Sequence, residues 1–279
     1  MFGCYASIAD VKGVLGITAT TDDTIIRKIV EAASRSLDNY CNRVFVTQTA
    51  TKYFNGATIL WLPDLLSLTT LKTDEDGNAT FENTLATTDY ILYGTGLEDS
   101  LNTFPKTRIE ISEDSDYSSF ALGIKKGVEI VGIWGYGDGI SATPYISDTT
   151  ITEDLTAGES AIDVTSVTNL SAGQLILIGS EQYYIYSISS LTLTVEAGVN
   201  GTTEATHSSG ATISIYQYPS DIRQACIDLS VALYQNRAKQ GLQTERIGDY
   251  SYTVAGTSLG KSMVESILES IRSYKRMRI

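Results

Sequence analysis

The hydrophobic period of this chain changes twice along its length. At both ends apolar residues recur at i, i+3 and i+4, the spacing of a helix with one buried stripe. Across 44–216 that pattern gives way to short β-rich runs bounded by Gly, Asp, Asn or Pro. Helices therefore come from the two termini and strands from the middle. The fold class that follows is α+β: a helical bundle drawn from both chain ends, a small β region, and an inserted all-β, barrel-like domain.

Local signals place the elements. Ser7 can cap a short helix that runs to Leu15 and stops at Gly16. Thr20 or Thr21 can cap a longer one, with Asp22 and Asp23 in its first turn and Ile26, Ile29, Val30, Ala33 and Leu37 on its apolar face. Strands are expected at 44–46, 52–54, 59–62 (stopped by Pro63), 71–73, 90–93, 108–111 and 128–134. Pro219 suits the first position of a third helix carrying Ile222, Ala225, Cys226 and Leu229. After a strand at 250–254, a last helix is expected from Ser258 to about Arg276. Its apolar face holds Met263, Val264, Ile267, Leu268, Ile271 and Tyr274.

Charge divides the chain as the hydrophobic period does. Residues 1–144 hold 11 basic and 19 acidic side chains, 145–217 hold none and 8, and 218–279 hold 9 and 6. The block 145–217 is rich in Thr, Ser, Ile, Tyr and Gly and shows six short strand patterns. It reads as an inserted domain within a discontinuous core of 1–144 and 218–279. An acidic body argues against gripping nucleic acid through its phosphates, which needs clustered Lys and Arg. It suits a surface past which DNA slides without sequence-specific binding. The 17 tyrosines against 6 phenylalanines suit half-buried strands and interfaces, or simply a β-rich protein.

The residue types that carry chemistry are sparse. Cys4, Cys41 and Cys226 are too few and too scattered for a disulfide framework or a metal site. His207, the one histidine, lies in a polar Gly/Thr/Ser turn unsuited to a catalytic triad. The acidic run Asp74, Glu75, Asp76 lacks the ligand spacing of an EF-hand loop and reads as a solvated hairpin tip. The glycines at 132, 135, 137 and 139 open no helix, so they form a flexible exit rather than a phosphate cradle. No catalytic residue, metal ligand or cofactor is expected, and the chain is read as a non-enzyme. No leader peptide and no membrane-spanning run is expected either.

Both ends together resemble the head–tail connector (adaptor) family of tailed bacteriophages. The resemblance rests on Ile8, Val11, Leu15 and Gly16-Ile17, then Thr21-Asp22-Asp23 opening a helix that closes with Asn39-Tyr40-Cys41-Asn42-Arg43-Val44-Phe45. At the other end it rests on Pro219-Ser220-Asp221-Ile222-Arg223-Gln224-Ala225, Leu233-Tyr234-Gln235-Asn236-Arg237 and Glu245-Arg246-Ile247-Gly248-Asp249. The block 145–217 departs from the family pattern. Part of it (Gly198 to Thr202, His207, Gly210-Ala211) is similar to a small β module of phage structural proteins.

The resemblance implies a homo-oligomeric ring, a dodecamer, beneath the portal protein. A stopper or tail protein would lie on its other face and DNA would pass through its channel during packaging and ejection. It implies a virion protein made in the host bacterial cytoplasm, without membrane partners. It also implies that the C-terminal end docks onto the portal. Ile267, Leu268 and Ile271 would supply burial, and Arg272, Lys275, Arg276 and Arg278 would steer. Residues 272–279 are then expected to carry few internal contacts. The alternative class is a tail accessory protein whose tyrosine-rich β module binds a receptor or glycan; a hydrolase is the third.

Overall fold

The computed structural model describes residues 3–94, 104–237, 244–247, 250–253 and 257–276, with side chains outside 244–262. Two helices open the chain, α1 (Ile8–Leu15) and α2 (Asp23–Cys41). Ser7 and Asp10 close a reciprocal capping box on α1, and Gly16 ends it in the left-handed conformation. The α2 N-cap is Asp22 rather than Thr20 or Thr21, and Asn42 ends it left-handed. Near the other terminus lie α3 (Ser220–Asn236) and α4 (Thr257–Ser270), the latter followed by a 3-10 turn, Arg272–Tyr274. Thus the last helix ends earlier than its apolar stripe suggested.

The helices meet across the length of the chain. Ile26, Val30, Ala33 and Leu37 of α2, Ile222, Ala225 and Cys226 of α3, and Ile271 share one buried cluster. The Ser34 hydroxyl of α2 lies 3.4 Å from the Cys226 thiol of α3.

Between them stand two antiparallel sheets that share no strand. The first has β1 (Gln48–Phe54), β2 (Ile59–Thr73), β3 (Asn83–Thr84), β4 (Tyr90–Gly94), β5 (Lys106–Ile111) and β6 (Val128–Trp134) in the order β1-β6-β2-β5-β4, with β3 on β2. The expected strands at 59–62 and 71–73 are one strand. Pro63 does not stop it, because pairing with β5 breaks between Trp61 and Leu65, where a missing N–H costs no ladder bond. The run 44–46 is not a strand. Phe45 and Val46 are fully buried, and the Val44 and Phe45 carbonyls accept from the Tyr136 and Gly137 amides at 2.9 and 3.2 Å. The glycine-rich stretch is therefore pinned to 44–46 rather than forming a flexible exit. A Cβ on Gly135 would stand 2.3 Å from the Val46 carbonyl.

The second sheet has β7 (Tyr145–Thr150), β8 (Ala161–Asp163), β9 (Leu175–Ile178), β10 (Glu181–Ser189), β11 (Thr192–Glu196) and β12 (Thr212–Tyr216) in the order β7-β12-β9-β10-β11-β8. It is not the closed barrel that six short strands suggested. Closure needs continuous pairing all round. Here the edge strands meet through a single bridge, Ile151 to Val164, because β8 is only three residues long. A third pair, β13 (Thr244–Ile247) with β14 (Tyr250–Thr253), forms a small hairpin.

The second sheet packs on the rest of the molecule. Leu175, Tyr184, Val199 and Tyr216 belong to the helical cluster. The Gln182 amide donates to the Thr47 carbonyl and hydroxyl at 3.3 and 3.1 Å, and accepts from the Asn200 amide at 2.9 Å.

Candidate functional site

The C-terminal segment lies against the body of the chain. Ile271 is fully buried in the helical cluster, and Ile267 and Leu268 are half-buried against it. Tyr274 stacks edge-on against Phe45 and Tyr136, and its hydroxyl donates to Asp221 at 2.8 Å. The Arg276 amide donates to the Cys41 carbonyl at 2.8 Å. Its guanidinium reaches Asp64 Oδ1 at 3.1 Å and the Leu62 carbonyl. Residues 272–276 therefore carry internal contacts that the sequence did not suggest. Arg272 is exposed beside Glu269, and Lys275 is exposed with its ammonium 5.1 Å from the Tyr40 ring. Arg278 lies outside the described residues.

Around Arg276 is a cleft of about 810 Å³. Asp64, at its base, is 5% exposed and lies 3.1 Å from each of Arg43 Nε and Arg276. Burial pushes the Asp64 carboxyl up, while Arg43, Arg276 and Lys52 pull it down. Lys52 projects from β1 with its ammonium 4.5 Å from the Trp134 ring, and burial holds it below the usual lysine range. Among the described residues no carboxylate lies within ion-pair distance of Lys52. Trp61, 56% exposed, stands at the rim. The other acid in the lining, Asp38, is engaged by Arg35 at 3.2 Å and by the Tyr5 hydroxyl. The cleft thus sets three cations against one unshared carboxylate in a chain of net charge −13.

Asp64 and Lys52 did not stand out in the sequence. A signal for Asp64 was present. One acid within the apolar run Leu62-Pro63-Asp64-Leu65-Leu66 is buried only if paired.

His207 is no free turn residue. Its ring nitrogen lies 2.9 Å from Glu181, a carboxylate with no exposed surface. Glu181 also accepts from the Tyr183 hydroxyl and from the Gly198 and Ala205 amides, at 2.7, 3.0 and 3.0 Å. All its partners belong to the second sheet and its loops, and the pattern is a structural clamp on 197–207. Oxygens of Asp74, Asp76 and Glu82 lie within 4.8 Å of one another. Asp74 spends its own on the Gly77 and Ala79 amides at 2.7 and 2.8 Å, an Asx-type turn. No helix among the described residues is long and apolar enough to cross a membrane.

No curated protein matches the chain. Residues 5–71 match the family model described as phage gp6-like head-tail connector protein, so the resemblance to the phage connector family is shown on the segment that forms α1, α2, β1 and most of β2.

Proposed function

We propose that the chain is a structural head–tail connector subunit of a tailed phage. Copies would form a ring, of twelve by the family resemblance, that joins the portal to a stopper or tail protein and lets DNA pass. The family match over 5–71 carries this reading, since those residues supply two of the four helices. The net charge of −13 supports DNA sliding past the ring rather than adhering to it. In this reading the connector core is a helical bundle from both chain ends within 1–144 and 218–279, and 145–217 is an insertion packed on it. The subunit would be made in the host cytoplasm and reside in the virion, in a non-enzymatic role.

The docking end for the portal is the exposed part of the C-terminal segment. Arg272 and Lys275 are the cations free to steer, with Arg278 beyond the described residues. Co-purification with a portal protein and negative-stain imaging test the reading. Closed rings, alone or on portal, support it. A trimeric, fibre-like particle defeats it in favour of a receptor-binding accessory. Replacing Arg272, Lys275 and Arg278 by Gln should weaken portal binding more at low salt than at high salt; unchanged binding removes the docking assignment.

A further inference from the structure

The cleft beside Arg276 holds more positive charge than its own acids satisfy, although the chain as a whole is strongly acidic. Lys52 is its least satisfied member. The ammonium is half-buried against Trp134, held below its usual range by burial, and without an ion-pair partner among the described residues. Arg43 lies over the Tyr136 ring at 4.6 Å and shares Asp64 with Arg276. Desolvated cations beside an exposed tryptophan have the composition of an interface anchor.

The first sheet carries the complement. Its β5–β6 connection presents Glu113, Asp114 and Asp116, all exposed. The loop is held to Asp89, just before β4, by a 2.9 Å bond from the Ser112 amide to the Asp89 carbonyl. The Ser115 hydroxyl adds a 3.1 Å bond to its carboxylate. Strand order puts β4 and β1 at opposite edges of that sheet, with three strands between them. At ~4.8 Å per strand interval the edges are roughly 19 Å apart along the sheet. One copy therefore offers an acidic loop at one edge and a cationic cleft at the other.

We propose that the cleft on the β1 edge receives the acidic loop 113–116 of a second copy, its carboxylates pairing with Lys52 and the Arg43–Arg276 pair while Trp61 covers the contact. The interface is heterologous, donor loop to acceptor cleft, so it repeats from copy to copy and closes where the rotation allows. It deepens the reading of the chain as a ring subunit and rests on it.

The test uses the full chain. Sedimentation velocity over a concentration series at low salt measures self-association of the wild type, of Lys52→Met, and of the triple variant Glu113→Gln, Asp114→Asn, Asp116→Asn. Methionine keeps an apolar stem over Trp134. Each variant should weaken association by roughly tenfold or more, and added salt should weaken the wild type towards them. An equimolar mixture of the two variants should give a dimer that does not grow, since only one intact cleft can meet one intact loop. Carbodiimide treatment of mixed ¹⁴N and ¹⁵N wild-type chains should join Lys52 to the 113–116 loop in mixed-isotope peptides. If the wild type assembles and both variants assemble equally well, the docking assignment is overturned while the ring reading stands. If the wild type stays monomeric and no mixed-isotope cross-link forms, both fall.

Discussion

Individual side chains in this protein settle their charges far from where they sit in sequence. Asp38 is the clearest case. Burial pushes its carboxyl up to about 6, against the pull of Arg35 and the Tyr5 hydroxyl. An unfolded aspartate titrates near ~3.9. The folded chain thus holds this proton more tightly, and the group's contribution is fully present below about pH 4 and lost as pH rises through about 6. A gap of that size corresponds to at most about 3 kcal/mol. Urea unfolding between pH 4 and 7 should show Asp38→Asn less sensitive to rising pH than the wild type. Identical slopes would place the proton elsewhere. None of this was legible in the residue itself, which reads as a solvated helix position. The tyrosines were half legible. Their number pointed to polar handles on apolar area. The structure spends those handles inside the molecule, as where Tyr216 donates to the Phe45 carbonyl at 2.8 Å and Tyr184 to Glu31 at 2.8 Å.

At the scale of elements, local rules held where the deciding groups are neighbours. Ser7 and Gly16 bound α1 as their chemistry requires, and the β6 span 128–134 has the bounds its alternation predicts. They failed where pairing partners decide. Pro63 lies inside β2 because the ladder is already broken there, and 44–46 leaves the strand state to fill the helical core. The joint between the two sheets depends on another such position. Gly201 has φ +81°, and a Cβ there would stand 2.2 Å from the Thr49 carbonyl on β1. Backbone cannot yield as a side-chain tip can, so Gly201→Ala must part the 3-10 turn Val199–Gly201 from β1. A loss on the order of 2 kcal/mol or more is expected in thermal or urea denaturation. Gly210→Ala, also at positive φ but with open space at its Cβ, should cost less. Equal losses would mean that strain, not the close approach, governs the joint.

For the whole molecule, two truncations separate tethered parts from integral ones. Removing 272–279 takes away Tyr274 and Arg276, leaving Asp64 buried with Arg43 alone. Stripping one partner from a buried pair costs about 3–5 kcal/mol. The truncated chain should therefore unfold at distinctly lower urea, against the sequence-based expectation of an intact fold. If its midpoint is unchanged, Arg276 contributes nothing there. Excising 145–217 is the second test. Tyr145 and Tyr216 are paired neighbours on β7 and β12, so the cut ends lie close together and a short linker can join them. Yet Leu175, Tyr184, Val199 and Tyr216 fill the helical core. The excised chain should lose cooperative unfolding or express as aggregate. A stable, cooperative product would show that the second sheet is merely tethered.

Hydrophobic period, capping residues and charge composition determined which segments are helix, which are strand, and that the body is acidic, because those signals act within a few residues of one another. The family pattern was legible for the same reason: it lies in the order of such local elements. Only the tertiary structure decided that Arg276 answers Asp64 across 212 residues of sequence. It alone closed the Glu181 clamp on His207, and it alone sealed the seam of the second sheet onto the helices. Burial and pairing of charge depend on which surfaces meet, and no periodicity along the chain encodes that.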